Sequence, residues 1–181
     1  MAAVVRHSES RRENGAIAVE VALTIVLFLM FALGTIEVAR IMFLWNTLSG
    51  VTQRAASVVA TSAPAADHAG TLDPVAFNGV PLSDPRIDGT FLKVDYLNLN
   101  RVAIATPVSA AANIRNCMAN PLDEVSCARY VRVQLCQPGG DACDPVPFRP
   151  LFPLAGMIGL DSGIVFPTFE AVAAAGALGY Q

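Results

Sequence analysis

The feature that most constrains the fold is an apolar run over residues 16–36 that contains a single ionisable side chain, Glu20. A helix needs about 20 apolar residues to cross a hydrocarbon core of about 30 Å, so the run predicts a transmembrane helix over residues 16–36. A carboxylate in such a helix costs about 2.5–3.5 kcal/mol at mid-membrane and less near an end. Some partner must therefore offset the charge of Glu20.

After this run the pattern becomes one-sided and predicts an amphipathic continuation of the helix over residues 37–62. Apolar residues recur at three- and four-residue steps, at Val38, Ile41, Trp45, Leu48, Val51 or Thr52, Ala55, Val58 and Val59. Pro64 ends the pattern. If the two parts are continuous, they form one helix of about 70 Å. Glu37 and Arg40 lie three residues apart, where surface ion pairs contribute a few tenths of a kcal/mol.

Residues 63–181 predict a small exported domain of the α+β class. The Pro-, Asp- and Gly-rich stretch 64–89 predicts a loop. Alternation around Leu92–Tyr96 and across Tyr130–Leu135 predicts strands. Residues 169–178 predict a short Ala-rich helix. Short strands after one long helix favour an amphipathic helix that lies across an antiparallel sheet.

The cysteines predict a disulfide-stapled C-terminal region. All four lie in the second half of the chain, at Cys117, Cys127, Cys136 and Cys143. An even number beyond a membrane segment favours an oxidising compartment and two disulfides, with free buried thiols as the alternative. Pairing of nearest neighbours would close two short loops, although three connectivities are possible. The spacing lacks a C-x-x-C pair and a nearby histidine, which argues against a zinc site.

The charge distribution predicts the orientation of the chain. Arg6, Arg11 and Arg12 precede the apolar run, so the positive-inside rule places residues 1–15 in the cytoplasm and the rest outside. There is no basic patch after Arg12, which argues against nucleic acid as a partner. Three fates of the run remain open: an uncleaved anchor, a signal peptide cut after Gly34, or removal of only the leader by a cut after Gly15.

The sequence contains no catalytic, cofactor or metal motif. Its two histidines are His7 and His68, and it lacks the Walker, G-x-S-x-G, G-x-G-x-x-G and H-E-x-x-H patterns. We therefore expect no enzymatic activity, no cofactor and no metal. Function is expected to lie in the N-terminal helix.

A basic leader that ends in glycine, followed by four small or apolar residues, a glutamate and a long apolar helix, is similar to the class III signal of type IV pilins and pseudopilins. That resemblance implies cleavage after Gly15 by a prepilin peptidase, which is itself an aspartyl protease of the membrane. It also implies that Glu20 pairs with the new α-amine on Ala16 of a neighbouring subunit. The pair would neutralise both charges inside a fibre.

The segments G-A-I-A-V-E-V-A-L from Gly15, T-I-E-V-A-R from Thr35 and the later A-A-S-V-V-A resemble the TadE-like pseudopilins of the Flp/Tad (tight adherence) pilus. Val21 stands where major Flp pilins carry tyrosine, which favours a minor pseudopilin. The resemblance implies a single-pass protein of the bacterial inner membrane with a periplasmic C-terminal domain and possible incorporation into a surface pilus. The implied partners are prepilin peptidase, other pilins, the assembly machinery and membrane lipid. The alternatives are an uncleaved periplasmic binding or sensing module and, with the least support, a signal-anchored enzyme.

Overall fold

The computed structural model of the chain describes residues 6–65, 67–78, 82–83, 86–140, 142–151 and 165–175, and side chains from residue 15 onward with the exception of Ser83. The chain divides into two compact units. One comprises residues 1–42 and 150–161, and the other comprises residues 43–149 and 162–181.

The N-terminal element is a long helix, α1, over Arg6–Thr61. The predicted continuity of the apolar and amphipathic stretches is therefore confirmed, and the helix ends within one residue of the predicted end. Its interior contains no proline, which would interrupt the backbone ladder. Hydroxyl groups inside the helix donate to carbonyl oxygens one turn earlier, as Thr24 does to Glu20 at 2.9 Å and Thr52 to Leu48 at 2.8 Å.

In the second unit α1 buries one face. Its buried residues recur at helical spacing, at Leu44, Leu48, Val51, Thr52, Ala55, Ala56, Val59 and Ala60. The predicted stripe is confirmed from Leu48 onward but is wrong at its start, because Val38 is 60% exposed and Trp45 is 46% exposed. Apolar residues occur on several faces of the helix there, so periodicity does not define a single inward direction. Trp45 instead meets the ring of Phe169 edge-on, with ring centroids 5.5 Å apart.

A four-stranded antiparallel sheet forms the core of the second unit. A short pair, β1 (Leu82–Ser83) and β2 (Arg86–Ile87), comes first in the chain. The sheet follows in the order β4-β3-β5-β6, with β3 at Leu92–Leu97, β4 at Ala103–Ile104, β5 at Tyr130–Leu135 and β6 at Glu170–Ala174. The predicted strand over Tyr130–Leu135 is confirmed at both ends, and the α+β class is confirmed.

The two faces of this sheet differ in polarity. Alternate residues of β5 are buried on one face, where the register places Val133 opposite the half-buried Val94 and Val131 opposite the buried Tyr96. On the other face Arg132 Nη2 lies 2.7 Å from Asp95 Oδ2 across the same strands. This alternation is the pattern expected of an antiparallel sheet with one face on a core.

The structure corrects the prediction at two places. The stretch 64–89, predicted as a loop, contains a helix, α2, over Ala69–Ala76. Asp73, which lies in this stretch, accepts a hydrogen bond from the backbone N–H of Gly89, while Leu72 is buried. Long-range contacts therefore stabilise a helix that local turn chemistry disfavours.

The second correction concerns the predicted Ala-rich helix over residues 169–178. Residues 170–174 form β6, and residues 176–178 lie outside the described part. The register places Ala171 opposite Val133 and Ala173 opposite Val131, so small side chains sit beside buried valines. Strand pairing overrides the helix propensity of alanine here.

A further helix, α3, spans Ala110–Ala119 and was not predicted. Its N-cap is Ser109, whose hydroxyl oxygen accepts the N–H of Ala112 at 3.1 Å. The two predicted disulfides are confirmed, and of the three connectivities that the sequence left open the structure has the pairing of nearest neighbours, Cys117–Cys127 and Cys136–Cys143. The first bond ties α3 to the segment that leads into β5, and the second follows β5 directly.

Candidate assembly segment in helix α1

The predicted site residues Gly15, Ala16 and Glu20 all lie in α1 and are exposed. The same is true of every residue from 15 to 31, up to Phe31 at 77% exposure. The helical stretch Gly15–Thr61 contains an 18-residue window of mean hydropathy 2.6, and none of that window is buried. Soluble proteins rarely expose so large an apolar surface, which is typical of contact with lipid or with other helices. The segment suggests a membrane anchor.

Gly15 has no packing reason to be glycine. A Cβ atom built on it would meet nothing within 4 Å, and its φ angle is not in the left-handed region. Glycine in a helix interior costs about 0.8–1 kcal/mol relative to alanine. Gly34 and Gly50 are equally open, so they provide matched positions for comparison with Gly15.

Glu20 carries the single charge of the exposed apolar segment. Its backbone carbonyl accepts the Thr24 hydroxyl, but none of the described side chains donates to its carboxylate. Among the described side chains the carboxylate is therefore unpaired. A charged group on an apolar helix is expensive in hydrocarbon unless it is paired or reaches water.

Arg11 and Arg12 lie in the helical N-terminal part of α1, and their side chains are outside the described part. Their role in orientation stays a prediction.

Glu37 is a constrained residue that the sequence analysis assigned only to a surface ion pair. The ion pair exists, with Arg40 Nη1 3.5 Å from Glu37 Oε2. However, Glu37 is only 8% exposed, and its Oε1 atom also accepts the backbone N–H of Leu151. The carboxylate thereby joins α1 to the chain segment that begins at residue 150 within the first unit. No local signal in the sequence points to a partner 114 residues away.

In the second unit a buried polar pair connects the start of α2 to β3. His68 Nε2 and Tyr96 Oη share a hydrogen bond of 2.9 Å, and both residues are buried. Burial lowers the pKa of His68, against smaller raising effects from the charge of Asp67 and the backbone of Ala65. Burial also raises the pKa of Tyr96. Both groups are therefore held in their neutral forms near neutral pH.

Among the described residues no three His, Cys, Asp or Glu side chains are grouped closely enough to hold a metal ion. The two disulfides use all four cysteines of the chain.

Comparison with known proteins gives a match at the same segment. The family model of TadE-like proteins matches residues 15–57, which begin at Gly15 and lie entirely within α1. The resemblance to TadE-like proteins is confirmed over this segment, and it supports a role as a pseudopilin associated with a Tad pilus. No curated protein and no solved structure matches the chain.

Proposed function

We propose that the protein is a minor pseudopilin that is needed for assembly of a Flp/Tad pilus and hence for surface attachment. The observation that carries the proposal is the position of the TadE-like match on an exposed, apolar helix with one carboxylate near its start. In this proposal residues 1–15 are a cytoplasmic leader and residues 16–36 span the inner membrane. Residues 37–62 continue the helix into a periplasmic domain formed by residues 63–181.

The first step is removal of the leader after Gly15 by a prepilin peptidase. The openness around Gly15 supports this step, because the helix itself gives no reason for a glycine there. Recognition by a protease that needs a small residue at the cut would supply that reason. Arg11 and Arg12 would hold the leader on the cytoplasmic side.

The second step is charge pairing in the membrane. Cleavage creates an α-amine on Ala16, and the Glu20 carboxylate of a neighbouring subunit would bind it. Each charge alone is costly in hydrocarbon, whereas a hydrogen-bonded pair offsets part of that cost. The exposed carboxylate of Glu20, which has no donor among the described side chains, supports this role. The surrounding apolar surface would then pack on other pilin helices and lipid.

The proposal is tested by the N-terminus of the mature protein in its native membrane. Processing gives a chain that begins at Ala16, an uncleaved anchor begins at Met1, and a conventional signal peptide leaves Thr35 first. Gly15→Val should block processing, while Gly34→Val, which alters an equally open helical glycine, should leave it intact. Processing that tolerates both substitutions, or fails with both, would argue against the cut after Gly15.

The role of Glu20 is tested separately from processing. Glu20→Gln keeps the shape of the side chain but removes its charge, so the chain should still be cut but pili should be scarce by electron microscopy. Val19→Ala changes a neighbouring exposed residue without altering charge and serves as the control. Normal pili in the Glu20→Gln strain would show that the proposed charge pair is not required.

A further inference from the structure

Among the strands that the structure describes, β6 lies at an edge of the four-stranded sheet. On its inner side it pairs with β5, where the N–H of Leu135 donates to the carbonyl of Phe169 at 3.0 Å and the N–H of Ala175 donates to that of Arg129 at 2.8 Å. Hydrogen bonding alternates along an antiparallel strand, so the odd-numbered residues bond inward. The N–H and C=O groups of Glu170, Val172 and Ala174 therefore point outward. In the described part of the chain none of them has a partner.

Within the described residues, this edge also lacks several of the features by which proteins prevent strand pairing. Natural sheets protect edges with very short strands, lysine, proline or bulges. The opposite edge follows that rule, since β4 has only two residues. In contrast, β6 pairs over five consecutive positions without a bulge and contains neither lysine nor proline. Its one charged residue, Glu170, accepts a hydrogen bond from the Gln134 amide at 3.1 Å.

We propose that β6 pairs antiparallel with β6 of a second copy of this chain, around a two-fold axis at Val172. In this register Val172 faces its own symmetry mate, and Glu170 faces Ala174 of the other copy. All the outward groups of both strands are then satisfied at once, by about six backbone hydrogen bonds. The side chains that come together are small, because all residues of the strand except Glu170 are alanine or valine.

The position of the charge selects this arrangement. Antiparallel pairing places each Glu170 opposite an alanine, so the two carboxylates lie at opposite ends of the joint. Parallel pairing in register would place the two carboxylates side by side, and like charges directly opposite one another are destabilising. The edge is thus complementary to itself in the antiparallel direction only.

The small area of this contact means that the dimer is expected in the membrane and not in dilute solution. Two five-residue strands bury well below the roughly 1,200 Å² of a stable complex, so the pair is expected to dissociate in dilute detergent. Anchoring by the apolar helix confines the copies to one membrane and raises their effective concentration. The pairing requires only a shared membrane and does not depend on leader cleavage or on the role of Glu20.

Cysteine crosslinking of the full-length chain in native membranes tests the proposal. The native cysteines are all in disulfides, so a single introduced cysteine is the reactive thiol. At Val172→Cys the opposed Cα atoms would lie about 5.5 Å apart, within the range of a disulfide of about 4.4–6.8 Å. At Ala174→Cys the two Cα atoms of residue 174 would be separated by four residues along the strand, or about 14 Å. Oxidation should therefore give about tenfold more dimer with the first variant than with the second.

Register is tested by combining variants. Glu170→Cys and Ala174→Cys should crosslink to each other when the two chains are expressed together, but neither should crosslink when expressed alone. Val172→Pro removes an N–H group that points outward and leaves the hydrogen bonds to β5 in place. It should therefore abolish the crosslink between Glu170→Cys and Ala174→Cys chains. Val172→Thr, a good strand former, should retain it.

Three results would overturn the proposal. One is equal crosslinking at residues 172 and 174, which indicates random collision. Another is the absence of any dimer at residue 172 in membranes, and the third is a crosslinked product whose mass shows a different protein at the edge. None of these results bears on whether the mature chain begins at Ala16, so failure here is distinguishable from failure of the pseudopilin proposal.

Discussion

Replacement of Leu48 by alanine is expected to destabilise the second unit strongly, because this side chain is completely buried on the inner face of α1. The substitution removes three carbon atoms, worth about 0.8 kcal/mol each in transfer from water. The unfilled cavity adds a further cost, so the total is expected at about 3–4 kcal/mol. The matched control is Phe43→Ala, an exposed position on the same helix, where the expected change is within about 0.5 kcal/mol.

The chain contains an intrinsic fluorescent probe for this experiment. Trp45 is its single tryptophan and packs edge-on against Phe169, just before β6. Its fluorescence therefore reports whether α1 is docked beside the end of the sheet. Urea titration of the full-length protein in detergent should show a midpoint lower by about 1–4 M for Leu48→Ala, since a small domain loses about 1–3 kcal/mol of stability per molar urea.

Equal midpoints for Leu48→Ala and Phe43→Ala would refute this reasoning. They would mean that the inner face of α1 contributes no more to stability than its exposed face. A loss of the Trp45 signal in the absence of urea, with Phe43→Ala unaffected, would instead show that the helix undocks completely.

Two further predictions follow from buried polar groups. Burial lowers the pKa of His68 from its ordinary value of 6.5, so the unfolded chain binds the proton more readily than the folded chain. The free energy of unfolding should therefore be highest above about pH 6.5 and should decrease as the pH drops below that value. His68→Gln should flatten this part of the pH profile of the urea midpoint, and an unchanged slope would exclude His68 as its source. Glu37→Ala removes the acceptor for the Leu151 N–H and should cost about 1–3 kcal/mol of local stability. Hydrogen exchange of the Leu151 amide should then accelerate, whereas Glu37→Gln, which keeps an acceptor oxygen, should restore much of the protection.

The sequence was most informative where a pattern is long or local. The continuity of α1 follows from more than forty residues without a proline. The strand β5 follows from the alternation of apolar and polar residues over Tyr130–Leu135. The presence of two disulfides was also predictable from the even number of cysteines, whereas three connectivities stayed open; the structure joins near neighbours, with separations of 10 and 7 residues. Short loops of this kind are the least costly to close.

Elements that depend on distant partners were not predicted. Asp73 forms a helix-stabilising contact with Gly89, and the alanines of β6 pair with buried valines of β5. In each case a tertiary contact outweighs a local preference that favours another structure. The same limit applies to the candidate site. The exposed helix around Glu20 follows from composition, whereas the second contact of Glu37 depends on a residue far along the chain.

The order of the disulfides along the chain has a consequence for biogenesis. With the N-terminus held in the cytoplasm, as proposed, the exported residues would enter an oxidising compartment in sequence order and present Cys117, then Cys127, then Cys136 and finally Cys143. Joining each thiol to the next one to appear gives both native bonds. An oxidant that acts on consecutive thiols would then form both native bonds directly, so we expect folding that does not depend on a disulfide isomerase.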